Sequence, residues 1–463
     1  MRIESRLFYL GIILMPFIGT IAITKKIFYP LGSGLFLFAL IGSFFWLIRR
    51  RRIEIPSQRV LWFIMVFVIF YFISGAVNLP SMFRSVWQGV QGIERYLLSM
   101  GLWSVEFISL LYMYNIYLSE KNARERISFF LLISFFLSAG CGVVEFISIL
   151  GNNAATEVLS GIDSLYRGEL FRQPFRIQSF ASEPSQYSVY LVVIFPLLLF
   201  KLIKSKHILF YALSLVLFFV LLFATYSRTG YFIILIEFFG FCFFFRREIR
   251  WEKLCMFCLM LFLILGGGGN LVGDAIGGSE RVVEMFATLL SNDIVFSNMS
   301  NMARFGATMA AMGIFQDHIF FGVGYDQFAF YAANYYPDWA YMSIEIVDWS
   351  TNYSGRAAWP PAFNYYVRLL AEVGFFGALA WIGVLWSVWR EGWRALAVGI
   401  EYDYLKVYLI MFLGQAAILF NTSDISITNI FVAAVILAET RRLQQESFKK
   451  KEGLSDKCGI TKR

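Results

Sequence analysis

The chain has 463 residues with a net charge of +8, and 58% of them are hydrophobic while only 16% are charged, against about a quarter in an ordinary soluble domain. The scarcity of charge excludes a set of soluble domains, the apolar content excludes intrinsic disorder, and five Cys residues are too few for a disulfide scaffold. The composition therefore predicts an all-α polytopic membrane protein, whose basic surplus lies in cytoplasmic loops and does not indicate a nucleic-acid partner.

Twelve apolar runs follow one another along the chain, and most of them reach the roughly 20 residues that cross a bilayer. They lie at about 7–24, 31–48, 60–78, 97–118, 127–150, 186–203, 208–225, 230–245, 254–271, 369–389, 403–420 and 427–440. With the N-terminus in the cytoplasm, most of the 40 Lys and Arg residues fall on the cytoplasmic side, as the positive-inside rule requires. An even number of spans then predicts that both termini are cytoplasmic.

The predicted spans divide the chain into four segments. These are residues 1–271 with spans 1 to 9 and a smaller outside loop at about 151–185, a cap outside the membrane at 272–366, spans 10 to 12 at 367–440, and a basic cytoplasmic tail at 441–463. The cap is acidic and rich in Trp and Tyr, which indicates a folded unit. An amphipathic helix within it, on the membrane surface or on the spans, is predicted from the spacing of Met302, Phe305, Met309 and Met312.

Three arginines on the predicted outside face are candidates for chemistry, because an outside Arg is comparatively rare under the positive-inside rule. Arg228 lies in a turn between two spans, Arg176 precedes the sixth span, and Arg304 sits beside the apolar stripe of the cap helix. A guanidinium presents a planar fork of donors that matches phosphate oxygens. The alternatives are an interfacial Arg228 that reaches lipid headgroups and a solvated helix face for Arg304.

Other polar residues mark the starts of predicted spans. Glu183 and Pro184 open the sixth span, where Glu183 is compatible with a base, a sugar hydrogen-bond acceptor or a helix N-terminal acid. Asn364 leads into the tenth span, in which Glu372 fits a structural pair with Arg368 as well as it fits a site. In the cap, Gly322-Val323-Gly324 predicts a turn with positive φ and close backbone approach, and it lacks the context of a dinucleotide fingerprint.

Metal and cofactor chemistry is not indicated. Cys255 and Cys258 form a CxxC inside an apolar run, where small buried hydrophobic residues are the better interpretation. With two His residues and no ligand cluster of suitable spacing, neither a metal site nor a cofactor is predicted. P-loop and GxSxG motifs are also absent from the sequence.

The candidates form an ordered set that resembles the O-antigen polymerase and O-antigen ligase superfamily, the Wzy and WaaL proteins. The set runs Arg176, Glu183-Pro184, Ser227-Arg228, Arg304, Gly322-Val323-Gly324, and Asn364 ahead of Glu372-Val373-Gly374. The resemblance covers about 170–390 in motif and nearly the whole chain in topology, and it implies a fold similar to the C-type membrane glycosyltransferases. Ligases of this group typically carry a His directly before the Asn of the last motif. Phe363 stands there, so a Wzy-like polymerase is favoured over a WaaL-like ligase.

The resemblance implies a membrane glycosyltransferase of the inner membrane whose site faces the periplasm. A growing glycan on undecaprenyl pyrophosphate is transferred to a lipid-linked repeat unit, within lipopolysaccharide or other polysaccharide biosynthesis. The implied catalytic residues are Arg176, Arg228 and Arg304. Their role would be to stabilise the charge that develops on the leaving pyrophosphate. The implied substrate-binding residues are Glu183, Tyr325, Asp326, Arg356, Asn364 and Glu372. Of these, Glu183 or Asp326 would orient the acceptor hydroxyl. Membrane lipid and a Wzz-like chain-length regulator are the implied partners.

Two alternatives stay open at this point. An O-antigen ligase would transfer the glycan to lipid A core instead of to another repeat unit. A flippase for lipid-linked oligosaccharide would also contain many spans and buried charges. The large cap and the absence of a visible internal repeat in the sequence disfavour the transporter.

Overall fold

The structure is a computed structural model that describes most of the chain. The described residues are 2–22, 32–49, 53–167, 172–249, 295–296, 299–353, 355, 359–397 and 402–457. Three features named above lie outside them: the run at 254–271, the CxxC of Cys255 and Cys258, and Arg356.

Helices make up almost all of the regular structure in these residues. They are α1 (Ile3–Ile13), α2 (Gly34–Arg49), α3 (Gln58–Arg84), α4 (Gly92–Ser119), α5 (Ala123–Ile149), α6 (Asn153–Tyr166), α7 (Pro184–Lys204), α8 (Ile208–Ala224), α9 (Arg228–Phe245), α10 (Met299–Asp317), α11 (Phe328–Tyr331), α12 (Ile344–Thr351), α13 (Tyr365–Leu396), α14 (Asp403–Ile418) and α15 (Ile427–Lys457). Between α3 and α4, the short strands β1 (Val86–Trp87) and β2 (Val90–Gln91) form an antiparallel hairpin.

Six helices of the described chain are long and apolar enough to cross a membrane, namely α3, α4, α5, α7, α9 and α13. Two more apolar helices, α2 and α8, are shorter. The protein is therefore an all-α polytopic membrane protein, as its composition predicts. The count of twelve spans and the division into four segments remain predictions.

Burial distinguishes a central helix from peripheral ones. Every residue of α7 from Tyr190 to Phe200 is buried, which is the mark of a helix surrounded by protein. On α3, by contrast, Trp62, Met65 and Ile69 are exposed at a spacing of three and four residues. That exposed stripe suits contact with lipid. Glu183, by contrast, lies at the N-terminal end of the buried helix α7.

One membrane helix is broken where the cap meets the spans. Gly374 inside α13 has φ 72° and ψ −177°, so the helix is interrupted there. The carbonyl oxygens of Ala371 and Glu372 accept hydrogen bonds from the N–H groups of Val323 and Gly324 at 2.9 and 2.8 Å. Irregular backbone at a span is tolerated when protein groups satisfy its hydrogen bonds in this way. The segments Gly322-Val323-Gly324 and Glu372-Val373-Gly374 are therefore in direct contact.

Replacing Gly322 with Ala is expected to destabilise this junction strongly. Gly322 has φ +63°, and an added Cβ would overlap the backbone of Glu372. A left-handed conformation alone costs a non-Gly residue on the order of 1–3 kcal/mol, and the overlap adds to that cost. Thermal unfolding of the purified protein in detergent measures the loss.

The matched control is Gly140→Ala in α5, because an added Cβ there meets nothing within 4 Å. Removing a helical Gly should stabilise by up to about 1 kcal/mol. Equal melting temperatures for both variants would contradict the close approach at Gly322.

The cap is organised around α10, which the sequence predicts correctly as a helix. Its buried face, however, consists mainly of small residues: Ala303, Gly306, Ala307, Ala310 and Ala311. Of the predicted apolar stripe, Met302 is buried while Phe305 and Met309 are exposed. Small side chains allow close approach, as at Gly306, where an added Cβ would lie 2.6 Å from the Ala340 Cβ. Met302 therefore belongs to the packed face, whereas Phe305 and Met309 lie outside it.

Candidate functional site

Arg176 is clamped onto the turn that precedes α9. Its Nε donates to the Thr225 carbonyl at 3.0 Å and its Nη2 donates to the Tyr226 carbonyl at 3.5 Å. Its Nη1 donates to Gln173 Oε1 at 2.9 Å. All three acceptors are neutral, so the guanidinium is held in place while its charge is not cancelled by a direct ion pair.

Arg228 is the first residue of α9, directly after this turn. The Ser227 side chain caps the helix by accepting from the Gly230 N–H at 3.3 Å, as an N-cap serine does. Ser188 on the central helix α7 donates to Ser227 Oγ at 2.8 Å. The start of α9 is thereby fixed to the core of the bundle, which positions Arg228.

Arg304 reaches the same place from the cap. Its Nη1 donates to Asn421 Oδ1 at 3.0 Å, and Asn421 Nδ2 donates to Thr229 Oγ1 at 2.5 Å. Its guanidinium carbon lies 5.1 Å from the centroid of the Phe363 ring, within the range of a cation–π contact. Asn421, in the loop between α14 and α15, therefore joins a cap residue to the residue beside Arg228.

The three arginines lie close enough for their charges to influence the pKa of Arg176 and Arg304. Burial is the largest cause that lowers the pKa of both Arg176 and Arg304. Arg304 lowers the pKa of Arg176 further, Arg228 lowers that of Arg304, and Glu183 raises both. We call Arg176, Arg228 and Arg304 the arginine cluster. A half-buried cationic cluster of this kind suits an anionic ligand such as a phosphate.

Strained backbone surrounds the arginine cluster. Phe175, Tyr226 and Phe363 have φ values of 60°, 49° and 54°, in the left-handed region that bulky residues rarely adopt. Phe175 adjoins Arg176, and the Phe363 ring faces Arg304. Such conformations cost on the order of 1–3 kcal/mol each and persist where the surroundings enforce them, often at functional sites.

Two other predicted site residues, Asp326 and Glu372, lie in a separate ion network. Arg368 binds Asp326 with Nη2 at 2.7 Å, Glu372 with Nε at 3.0 Å, and Asp424. Arg95 on α4 also binds Asp326, at 2.7 Å. We call these five residues the Arg368 network. It joins α4, α13, the cap and the loop before α15.

The acidic members of this network are occupied by protein groups. Glu372 accepts hydrogen bonds from the backbone N–H groups of Asp326 at 2.8 Å and Phe328 at 3.0 Å, and the Ser99 hydroxyl donates to Asp326. Tyr325 is buried, with its ring 5.5 Å from the Arg368 guanidinium carbon. These contacts favour the structural pair with Arg368 for Glu372. Tyr325 and Asp326 contact the same Arg368 side chain, and their role in substrate binding stays a prediction.

The last two predicted binding residues open helices. Glu183 is the N-cap residue of α7, where Pro184 takes the first position. Asn364 is the N-cap residue of α13, and its side chain accepts from the Val367 N–H at 3.2 Å. The charge of Glu183 raises the pKa of both Arg176 and Arg304. Asn364, by contrast, caps α13 directly after Phe363.

Sequence reasoning did not select Asn421 or Glu345, which also belong to this region. Asn421 begins a polar run, Asn421-Thr422-Ser423-Asp424, between two apolar runs, and that signal was available. The charge of Glu345 on α12 raises the pKa of Arg304. In the sequence, however, Glu345 is one acid among many in the cap and no spacing distinguishes it.

Comparison with known families bears on this geometry. Residues 213–382 match the family model of O-antigen ligase. This segment is therefore similar to the O-antigen ligase family. The matched segment includes Arg228, Arg304, Glu345 and Phe363, while Arg176 lies before it. No curated protein matches the chain significantly.

This family domain supports the O-antigen polymerase and ligase superfamily that the motifs indicate. Its members are membrane glycosyltransferase-like enzymes, ligases and polymerases, whose substrates are lipid-linked oligosaccharides. The match covers a little over a third of the chain and does not separate polymerase from ligase.

Proposed function

We propose that the protein is a polysaccharide polymerase. It transfers a growing glycan from undecaprenyl pyrophosphate to a lipid-linked repeat unit at the outer face of the cytoplasmic membrane. The observation that supports this function is the convergence of Arg176, Arg228 and Arg304, which come from the loop before α7, the start of α9 and the cap.

The arginine cluster suits the chemistry of the leaving group. The acceptor hydroxyl oxygen forms a bond to the anomeric carbon, the bond from that carbon to the pyrophosphate oxygen breaks, and its electron pair leaves with undecaprenyl pyrophosphate. Negative charge then develops on the pyrophosphate. Guanidinium groups that are already held by neutral contacts, as Arg176 and Arg304 are, stabilise this charge without reorganising.

Phe363 supports a polymerase over a ligase. In the resembling ligases a His precedes the Asn of the last motif, but here the Phe363 ring packs between Arg304 and Trp349, with centroids 5.6 Å apart to Trp349. A phenyl ring cannot take a proton from an acceptor. The ligase remains the second candidate, because the family domain is shared by both.

Glycan analysis of cells that lack the protein separates these two functions. Without a polymerase, we expect lipid A core to carry a single repeat unit and no ladder of longer chains. Long glycan that accumulates on the lipid carrier, with unmodified core, would instead identify a ligase. In a host that exports free polysaccharide, carrier-bound chain length alone gives the answer.

The proposal places the arginine cluster on the periplasmic side of the inner membrane, with both termini cytoplasmic and a Wzz-like chain-length regulator as a partner. In a background without the five native Cys residues, Asp338→Cys should react with an impermeant thiol reagent in intact spheroplasts. Gln58→Cys, exposed at the start of α3, should react only after permeabilisation. The reverse pattern would contradict this orientation.

A further inference from the structure

Helix α12 places a carboxylate beside the arginine cluster. Trp349 on α12 packs against Phe363, and the Phe363 ring faces Arg304. Glu345 precedes Trp349 by one helical turn, so the two side chains share a face of α12. The neighbouring Ile346 is fully buried, and its Cδ1 lies 3.8 Å from a Cβ placed on Gly306, two residues beyond Arg304. The contacts of Ile346 and Trp349 therefore hold α12 close to the part of α10 that carries Arg304.

The carboxylate of Glu345 is available for a ligand. It makes no hydrogen bond or ion pair within the described residues. The acids of the Arg368 network are occupied, as shown above. Glu183 is exposed and accepts from Ser185 Oγ at 3.2 Å. Glu345 is thus the half-buried acid at the arginine cluster that has no direct protein partner in the described chain.

Charges around Glu345 suit it to accept a proton. Burial is the largest cause that raises its pKa above the ordinary value of a glutamate, Arg304 on α10 lowers that pKa, and Glu183 ahead of α7 raises it. Asp338, on the 3₁₀ turn Asp338–Met342 that packs beside α12, is exposed. A base works best when its pKa lies nearer to the operating pH, and a raised carboxyl pKa moves in that direction.

We propose that Glu345 is the general base that takes the proton from the acceptor hydroxyl, an inference that rests on the proposed function. As the acceptor oxygen forms its bond to the anomeric carbon, its proton moves to the Glu345 carboxylate and is later released to water. The electron pair of the breaking bond leaves with the pyrophosphate beside the arginine cluster. Glu345 thereby supplies the role for which Phe363 offers no nitrogen.

The test compares Glu345→Gln with wild type in a transfer assay on purified protein, using lipid-linked repeat units and a carrier-linked donor glycan. The amide keeps the shape of the side chain but cannot accept the proton. We expect kcat to fall by about 10²–10⁴-fold, the usual contribution of general base catalysis, while donor binding is unchanged. In wild type, kcat/KM should fall as the pH drops through the Glu345 pKa, and this acidic limb should vanish in Glu345→Gln.

Two controls keep the test specific. Asp338→Asn removes another cap acid close to α12 and should retain wild-type transfer, and Glu183→Gln should retain the acidic limb. A Glu345→Gln rate within a few-fold of wild type, or loss of the limb in Glu183→Gln alone, would overturn the proposal while the proposed function stands. Absence of transfer by the wild-type protein would instead refute the proposed function.

Discussion

Replacing Arg228 with Ala is expected to reduce glycan transfer by about 10²–10³-fold, the usual cost of removing one preorganised donor to developing charge. The Ser227 cap and its contact with Ser188 do not use the Arg228 side chain, so folding should be preserved. Arg228→Lys should recover part of the activity, because an ammonium supplies charge without the bidentate fork. Transfer rates of the purified variants, with thermal unfolding as a check on folding, measure this.

The matched control for Arg228 is Arg246, which directly follows the last residue of the same helix at its opposite terminus. Arg246→Ala removes the same charge from α9 far from the arginine cluster, and its transfer rate should equal that of wild type. Equal rates for Arg228→Ala and Arg246→Ala would remove Arg228 from the site.

Replacing Arg368 with Ala is expected to destabilise the protein more than any change in the arginine cluster. Arg368 is buried and binds Asp326, Glu372 and Asp424. Its removal leaves the buried carboxylate of Glu372 without its counter-charge, which typically costs about 3–5 kcal/mol. Arg368→Lys should not restore stability, because one ammonium cannot reproduce contacts made by three different nitrogen atoms. Thermal unfolding in detergent reports the effect.

A control for Arg368 is Arg126→Ala. Arg126 pairs with Glu120 at an exposed position, and exposed ion pairs contribute about 0–1 kcal/mol. If Arg368→Ala unfolds at the same temperature as Arg126→Ala, the Arg368 network does not hold the cap on the spans.

Local sequence chemistry predicted the parts of the fold that depend on neighbouring residues. Pro184 after Glu183 and the capping side chain of Asn364 mark helix starts that the structure contains. Gly322 and Gly324 both have positive φ, as their spacing in a loop suggests. Each of these features is fixed by the conformational preference of one or two residues.

Features that depend on long-range packing were not accessible in the same way. Arg368 lies one helical turn from Glu372, so that pair could be anticipated, but its bonds to Asp326 and Asp424 join separate segments. The packed face of α10 could not be anticipated, because Met and Phe carry the apolar signal in the sequence whereas contact there depends mainly on Ala and Gly. The position of Glu345 follows only from how α12 packs.

Transfer by purified protein in liposomes tests the central proposal most directly. The liposomes contain a lipid-linked repeat unit and no other enzyme, and the length of carrier-linked glycan is followed with time. We expect a ladder of longer carrier-linked chains with release of undecaprenyl pyrophosphate, and its loss with Arg228→Ala. Repeat units that only move between the two leaflets, with glycan length unchanged, would contradict a polymerase and identify a flippase.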